Sequence, residues 1–156
     1  MNPIYLTFEE SEKLKQDLHH LKYVERPKIV KSIAAAREQG DLRENAEYTA
    51  AKENQVLLEN KIQRLEFTLA RVRIIDPNEM ESNKAHVGSR ISLLNLDTGK
   101  TMAGILASTA DVDLYDMDVI SLESPVGKLL IGKSMDDVIE IDIPSGKLRF
   151  KIIELK

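Results

Sequence analysis

The sequence predicts an α+β fold, in which an antiparallel α-helical coiled-coil hairpin precedes a small, mainly antiparallel β domain with one short helix. Apolar residues recur at steps of three and four through most of residues 1–75, as on a helix that packs against another helix. Short runs rich in Ile, Val and Leu, separated by turn residues, fill residues 84–156. The polar segment 76–83, which contains Pro77, is the expected linker between the two domains.

The second helix of the hairpin, predicted over residues 44–74, has the most regular pattern. Its apolar stripe keeps heptad spacing over more than three heptads, which is typical of a coiled coil. The stripe consists of Tyr48, Ala51, Gln55, Leu58, Ile62, Leu65, Leu69 and Val72.

The first helix has a similar stripe with one irregularity. A double step of four through Glu25 interrupts the heptads, which is a stutter, and Pro27 lies at the same place. Because Pro has no backbone N–H, we expect a local bend there in a helix that otherwise continues. The stripe consists of Leu14, Leu18, Leu21, Ile29, Ile33 and Ala36.

Residues 39–43 connect the two stripes and are too few to do more than reverse the chain. Each helix has about 30 residues, so the turn lies roughly 45 Å from the open end of the hairpin at a rise of 1.5 Å per residue. At that open end, Leu6, Phe8 and Leu14 are expected to pack with the second helix or with the next domain.

The second half contains five predicted strands and one helix. Residues 97–100 and 144–147 have the composition of hairpin turns, and residues 125–131 suit a short helix that begins at a Pro and ends before Gly132. The strands are expected at Val87–Leu96, Thr101–Ala107, Val119–Leu122, Val138–Ile143 and Leu148–Leu155.

Charge and composition exclude several classes of protein. The net charge of −4 argues against broad, sequence-independent binding to nucleic acid, which depends on many Lys and Arg contacts to phosphates. The first 75 residues contain 13 basic against 12 acidic residues, and residues 76–156 contain 9 against 14, so the two halves differ in charge. The sequence has no Cys and no apolar run long enough to span a bilayer, and its first residues do not resemble a signal peptide. We expect a cytoplasmic protein that does not bind membranes.

Most motifs for independent catalysis are absent. There is no thiol nucleophile and no Gly-rich phosphate loop, and His19, His20 and His86 lack the spacing that places two imidazoles on one helix face. We expect packing or solvated roles for these histidines, and we do not expect a self-contained enzyme. The alternating carboxylates Asp111, Asp113, Asp116 and Asp118 could converge on calcium, but their spacing does not fit an EF-hand loop, and charged turn residues are the favoured interpretation.

The hairpin tip allows two interpretations. In the structural one, Gly40 is a left-handed cap of the first helix, Asp41 is the N-cap of the second, and Glu44 completes a capping box. In the functional one, Asp41 and Glu44, with Glu47 as a possible third group, are carboxylates exposed at the end of a rod. Two such groups can share a Mg²⁺ ion only if a partner supplies the remaining ligands. The residues alone favour the structural interpretation.

The run from Ala36 to Tyr48, continued by residues 50–53, closely resembles the tip motif of the GreA/GreB transcription elongation factors. The resemblance extends to Arg26-Pro27, to Ile75-Asp76 and to the segment 124–133. It implies a C-terminal domain with an FKBP-like fold that docks on RNA polymerase, and a coiled coil that enters the secondary channel of the polymerase. The factor would act there as a monomer.

The resemblance also implies a mechanism and a set of residues. Asp41 and Glu44 correspond to the carboxylates that help RNA polymerase hold a second Mg²⁺ and cleave backtracked RNA near its 3′ end, with most Mg²⁺ ligands coming from the polymerase. Lys52 corresponds to a basic position that faces the backtracked RNA, and Arg37 is a second candidate contact. A solvated surface charge is an equal alternative for Lys52. The nearly neutral first half favours a GreA-like protein over a more basic GreB-like one.

Two other functions stay open. A channel-blocking inhibitor that does not promote cleavage would share this architecture, although it would not need Asp41 and Glu44. Prolyl isomerase activity occurs elsewhere on the FKBP-like fold, but it needs a pocket lined by aromatic residues, and the second half offers only Tyr115 and Phe150.

Overall fold

The computed structural model describes residues 2–40, 45–108 and 114–156. The chain forms two compact units. Asn2 and the described residues of 8–72 make one, and residues 3–7 with the described residues of 73–156 make the other. In these ranges no helix is long and apolar enough to cross a membrane.

The first unit is the predicted antiparallel helical hairpin. Its first arm consists of helix α1 (Phe8–His20), a π-helical turn (Leu21–Glu25) and helix α2 (Arg26–Arg37), which follow one another without a break. Its second arm is helix α3 (Ala46–Ala70), whose 25 residues correspond to about 37 Å.

The two predicted apolar stripes, apart from Val72 in the second, lie at the seam between the arms. Every member of both stripes is buried or half-buried. The fully buried members are Leu14, Ile33 and Ala36 on the first arm and Ala51, Leu58 and Ile62 on the second. Heptad spacing therefore identified the packing surface correctly, because in a helix only positions three and four apart share a face.

The stutter in the first arm corresponds to the π-helical turn. The Arg26 N–H donates to the carbonyl of Leu21, five residues earlier, which is the π-helical pattern. Pro27 is the second residue of α2, at a position where its missing N–H coincides with the irregular hydrogen bonding of the turn. The helix continues through Pro27 as predicted, with a local change in helix type.

The second arm is shorter than predicted. Helix α3 begins at Ala46 and ends at Ala70, whereas the prediction extended it to residue 74. Val72–Ile74 forms strand β2 instead, and it pairs with strand β1 (Ile4–Leu6). A run of three residues is too short to show alternation, so neither strand was predicted.

The second unit is built on a five-stranded sheet with the order β5-β4-β3-β7-β6. Three neighbouring pairs are antiparallel, and β4 and β5 are parallel. All five predicted strands and the short helix are present; β4 and β6 have the predicted ends, and the ends of the others are shifted. Their bounds are β3 (Arg90–Asn95), β4 (Thr101–Ala107), β5 (Val119–Ser121), helix α4 (Pro125–Leu130), β6 (Val138–Ile143) and β7 (Gly146–Leu155).

The core of this unit lies against the sheet and beneath α4. Leu93, Leu106, Leu130 and Ile152 are completely inaccessible to solvent, and Phe150 is buried with them. Alternate residues of β6 and β7 supply this core while their neighbours carry charge, as expected for a sheet with one buried face.

Residues 3–7 belong to the second unit although they begin the chain. The Tyr5 N–H donates to Ser108 Oγ at 2.9 Å, and the Ile75 N–H donates to the Leu6 carbonyl at 2.8 Å. Ile4 and Leu6 are each only 2% exposed. The predicted linker also carries structure, since Pro77–Glu79 forms a 3₁₀ turn capped by the Asp76 carboxylate.

Candidate functional site

The candidate site lies where the two arms of the hairpin meet. Helix α2 ends at Arg37, and the Gln39 N–H donates to the Ala36 carbonyl at 3.2 Å in a closing turn. Gly40 follows with a φ of 127°, a conformation that residues with a Cβ rarely adopt. The positive φ predicted at Gly40 is confirmed, but the C-cap of α2 is Glu38, two residues earlier.

The N-cap of α3 is Asn45, so the prediction that Asp41 caps this helix is wrong. Asn45 has an extended backbone, with φ −86° and ψ 100°, and its Oδ1 accepts a hydrogen bond from the Tyr48 N–H at 3.0 Å. This geometry satisfies one of the N–H groups that a helix leaves free at its start. The helix begins later than the sequence suggested, which places Asp41 too far upstream to act as its cap.

Asn45 also connects the two arms. Its Nδ2 donates to the carbonyl of Ala36 in the last turn of α2 at 2.5 Å, across nine positions of sequence. That carbonyl lies beyond the regular helical hydrogen bonds, and it accepts from both Asn45 and Gln39. One side chain thus satisfies the end of one helix and the start of the next. The sequence offered a signal for it, because Asn is among the preferred N-caps, but Asp41 and Glu44 fitted the capping pattern as well.

The two predicted catalytic carboxylates, Asp41 and Glu44, lie outside the described residues. The sequence places both between Gly40 and Asn45, the residues that end one arm and begin the other. Glu47, the third candidate, is exposed in the first turn of α3. Among the described residues there is no group of three or more Asp, Glu, His or Cys side chains arranged to hold a metal ion.

The two basic candidates lie on either side of the turn. Arg37 ends α2 and is exposed, and its guanidinium lies 5.9 Å from the centre of the Tyr48 ring on α3. This distance is at the outer limit of a cation–π contact. Lys52 is exposed one turn beyond Tyr48, where its ammonium donates to Gln55 Oε1 at 3.1 Å. Both side chains can therefore meet a ligand from solvent.

Ion pairs connect the arms farther from the turn. Arg26 donates to both carboxylate oxygens of Glu59, from Nε at 2.8 Å and from Nη2 at 2.9 Å, and Lys22 pairs with Glu66. The hydrogen bonds from Arg26 lower the pKa of the Glu59 carboxyl, and the same bonds raise the pKa of Arg26. The bidentate pair fixes the register of α2 against α3 beside the π-helical turn.

The remaining candidates show contacts that fit structural roles. The His19 ring lies against Tyr23, His20 pairs with Glu25 at 3.1 Å, and His86 Nδ1 contacts the Val87 carbonyl at 2.8 Å. Of the acidic cluster, Asp116 and Asp118 are exposed, while Asp111 and Asp113 are outside the described residues.

The second unit contains a cavity of about 700 Å³ beside strand β2. Its described lining includes Tyr5, Ile74, Met80 and Ile131, and Tyr5 is the one Tyr, Phe or Trp among them. Phe150 does not line it, since that ring is buried in the core of the sheet. The described lining of this cavity therefore does not include the set of aromatic side chains that the isomerase alternative requires.

The chain thus combines a two-helix hairpin, whose connecting sequence contains Asp41 and Glu44, with a unit built on a five-stranded sheet. Family models match both parts. The model described as "Transcription elongation factor, N-terminal" covers residues 4–74, and the one described as "Transcription elongation factor, GreA/GreB, C-term" covers residues 80–156.

Individual proteins agree with the family models. Transcription elongation factor GreA of Christiangramia forsetii is 44% identical over 97% of this chain and 95% of its own length. The GreA of Pasteurella multocida is 42% identical over 100% of this chain and 99% of its own. The solved structure of the transcription factor Gfh1 is 27% identical, covers 99% of both chains and superposes with a TM-score of 0.50. The chain belongs to the GreA/GreB family of transcription elongation factors.

Proposed function

We propose that this protein binds RNA polymerase, inserts its helical hairpin into the secondary channel and stimulates the polymerase to cleave backtracked RNA. Asp41 and Glu44 are the catalytic residues of this proposal. The observation that carries it is the place of the tip motif: both carboxylates fall in the connection between the end of α2 at Arg37 and the start of α3 at Ala46. A long two-helix arm that ends in acidic residues suits delivery of those residues into another protein's active centre.

The chemistry of the tip explains why the protein would not act alone. Two carboxylates are suitable oxygen ligands for Mg²⁺, but this ion prefers six ligands and gives up its waters reluctantly. Asp41 and Glu44 would complete a site whose other ligands belong to the polymerase. When bound there, Mg²⁺ helps to activate a water molecule for attack on the RNA phosphodiester. The nuclease activity is then a property of the polymerase, and this chain stimulates it.

Exposed cations near the turn support a contact with the extruded RNA. Arg37 and Lys52 lie on opposite arms, close to the tip, and both are accessible to solvent. A phosphate backbone passing this end of the hairpin would meet both positive charges. The RNA contact would be short, because the first 75 residues carry 13 basic against 12 acidic residues and are therefore nearly neutral.

The second unit is assigned to docking. It has its own core, and its net negative charge suits a basic surface on the polymerase. We assign it to the FKBP-like group on the sequence resemblance, and we place the factor in the cytoplasm as a monomer, where it would meet transcribing polymerase.

The test is a cleavage assay on a stalled, backtracked elongation complex with 3′-labelled RNA. The wild-type protein should release short 3′ fragments, and Asp41→Ala or Glu44→Ala should reduce release to the level without factor while binding is retained. A factor that binds and yields no fragments would be a channel-blocking inhibitor. Normal cleavage by both variants would remove these two residues from the mechanism.

A further inference from the structure

Asn45 makes one hydrogen bond more than a helix cap needs. Capping requires an acceptor for the Tyr48 N–H, which Asn45 Oδ1 provides at 3.0 Å. The amide nitrogen at the other end of the same group donates to the Ala36 carbonyl on the opposite arm at 2.5 Å. A carboxylate at position 45 could accept from Tyr48 but could not donate to Ala36, and a serine hydroxyl, which can both accept and donate, is too short to reach both partners.

These two bonds fix the separation of the helix ends that flank residues 41–44. Ala36 is 3% exposed and packed in the seam, so its position is fixed by its neighbours. Asn45 is hydrogen-bonded to its carbonyl. Around this bridge, the Thr49 N–H donates to the Asn45 carbonyl at 3.1 Å, and Arg37 lies against the Tyr48 ring. The backbone on both sides of the tip segment is therefore tied to one side chain.

We propose that Asn45 is a positioning residue for the transcript-cleavage reaction: its amide connects α3 to α2 at the two ends of the segment whose sequence contains Asp41 and Glu44. The inference rests on the proposed function and extends it to a residue that does not itself touch the reacting atoms. Its physical basis is that reacting groups must be held within a fraction of an ångström, and a displacement of about 1 Å can reduce a rate by roughly 100-fold.

Two substitutions distinguish the role of the hydrogen bond from Asn45 to Ala36 from the role of Asn45 as a helix cap. Asn45→Asp keeps the size of the side chain and the acceptor for Tyr48, and its charge suits the start of a helix, but it cannot donate to Ala36. Asn45→Ser keeps an acceptor without adding charge, and it is too short to reach Ala36. If Asn45 were only a cap, both variants would retain the activity and stability of the wild type.

The experiment measures cleavage of backtracked RNA against factor concentration, together with thermal unfolding. We expect both variants to unfold within a few degrees of the wild type and to reach half-maximal cleavage within about twofold of its concentration. The maximal rate should fall by about tenfold or more. Asn60→Asp and Asn60→Ser, the same changes at an exposed position of α3, are the matched controls and should cleave like the wild type.

The possible outcomes are distinct. Wild-type maximal rates in both variants would overturn the positioning role, and so would a loss confined to Asn45→Asp, which would indicate an effect of charge. A fall in rate that is matched by loss of folding or of binding would also overturn it. If the wild-type protein itself promotes no cleavage, the proposed function fails, and this result is separate from any difference among the variants.

Discussion

Gly127 has no room for a larger side chain. A Cβ added there would lie 1.9 Å from the Ser121 carbonyl oxygen and 2.7 Å from its carbon, which are backbone atoms of β5 that cannot rotate away. Ser124 holds the same contact in place, since its hydroxyl donates to the Ser121 carbonyl at 2.6 Å and accepts from the Gly127 N–H at 3.0 Å. Helix α4 therefore approaches β5 closely because residue 127 is glycine.

The change in stability caused by Gly127→Ala tests whether α4 packs this closely against β5, because two physical effects predict changes of opposite sign. Helix propensity alone predicts that Ala stabilises α4 by about 1 kcal/mol. The steric contact predicts the opposite, a loss of roughly 1–3 kcal/mol as the helix moves away from the strand. Denaturant unfolding of the variant should show a lower midpoint. Lys128→Ala, an exposed change in the same helix, should leave the midpoint nearly unchanged, and a higher midpoint for Gly127→Ala would contradict the packing described here.

Residue-level features divide clearly into those the sequence could predict and those it could not. The positive φ of Gly40 was predictable because few residues other than glycine adopt that conformation. The cap at Asn45 was not, since the choice between Asp41 and Asn45 depends on a hydrogen bond to Ala36 on another element. A short sequence pattern carries no information about such a partner.

At the scale of elements, the Arg26–Glu59 pair connects the arms beside the π-helical turn. The folded state favours the ionised form of Glu59, because Arg26 donates to both of its oxygens. The stabilisation is therefore present above the pKa that Glu59 has in the unfolded chain. It is lost as the pH falls through the lower pKa of the folded protein.

Glu59→Gln should lower the stability of the hairpin modestly at neutral pH, since both partners are about 40% exposed and solvent screens the pair. The difference in thermal midpoint between the wild type and the variant should shrink as the pH is lowered through the acid range in which Glu59 protonates. Glu53→Gln, at an exposed position of the same helix, is the control. A difference that is constant with pH would show that the effect does not come from ionisation of Glu59.

Element prediction succeeded where a pattern was long. The two stripes of the hairpin span several heptads, and β4 and β6 have their predicted bounds. Strands β1 and β2 have three residues each, and their pairing joins positions almost 70 residues apart. The stutter indicated an irregularity near Pro27, but the form it takes, a π-helical turn, is set by the hydrogen bonds of the folded helix.

In the whole molecule, the two units are not two consecutive stretches of sequence. Residues 3–7 precede the hairpin and yet pack with the second unit, where Leu6 is among the most deeply buried side chains. The sequence predicts that Leu6 lies at the open end of the hairpin and packs with the second helix or with the next domain. Its contacts within the second unit favour the latter. The position of residues 3–7 at the start of the sequence does not predict this packing, because the residues that pair with β1 lie beyond residue 70.

The division into units also suits the proposed mechanism. A hairpin that delivers carboxylates and a β unit that docks can be altered separately, since each has its own buried core. A free tip would bind Mg²⁺ weakly, because its carboxylates are few and the polymerase is needed to supply the other ligands.

The proposed mechanism requires that this factor complete a Mg²⁺ site in the polymerase. The decisive measurement is the Mg²⁺ dependence of RNA cleavage in a backtracked complex without factor, with the wild type and with Asp41→Asn. The wild type should lower the Mg²⁺ concentration needed for half-maximal cleavage. Asp41→Asn should lose most of that shift, because an amide keeps the size of the side chain and lacks the charge. An unchanged Mg²⁺ dependence with the wild-type factor, or tight Mg²⁺ binding by the free protein in a calorimetric titration, would contradict the shared site.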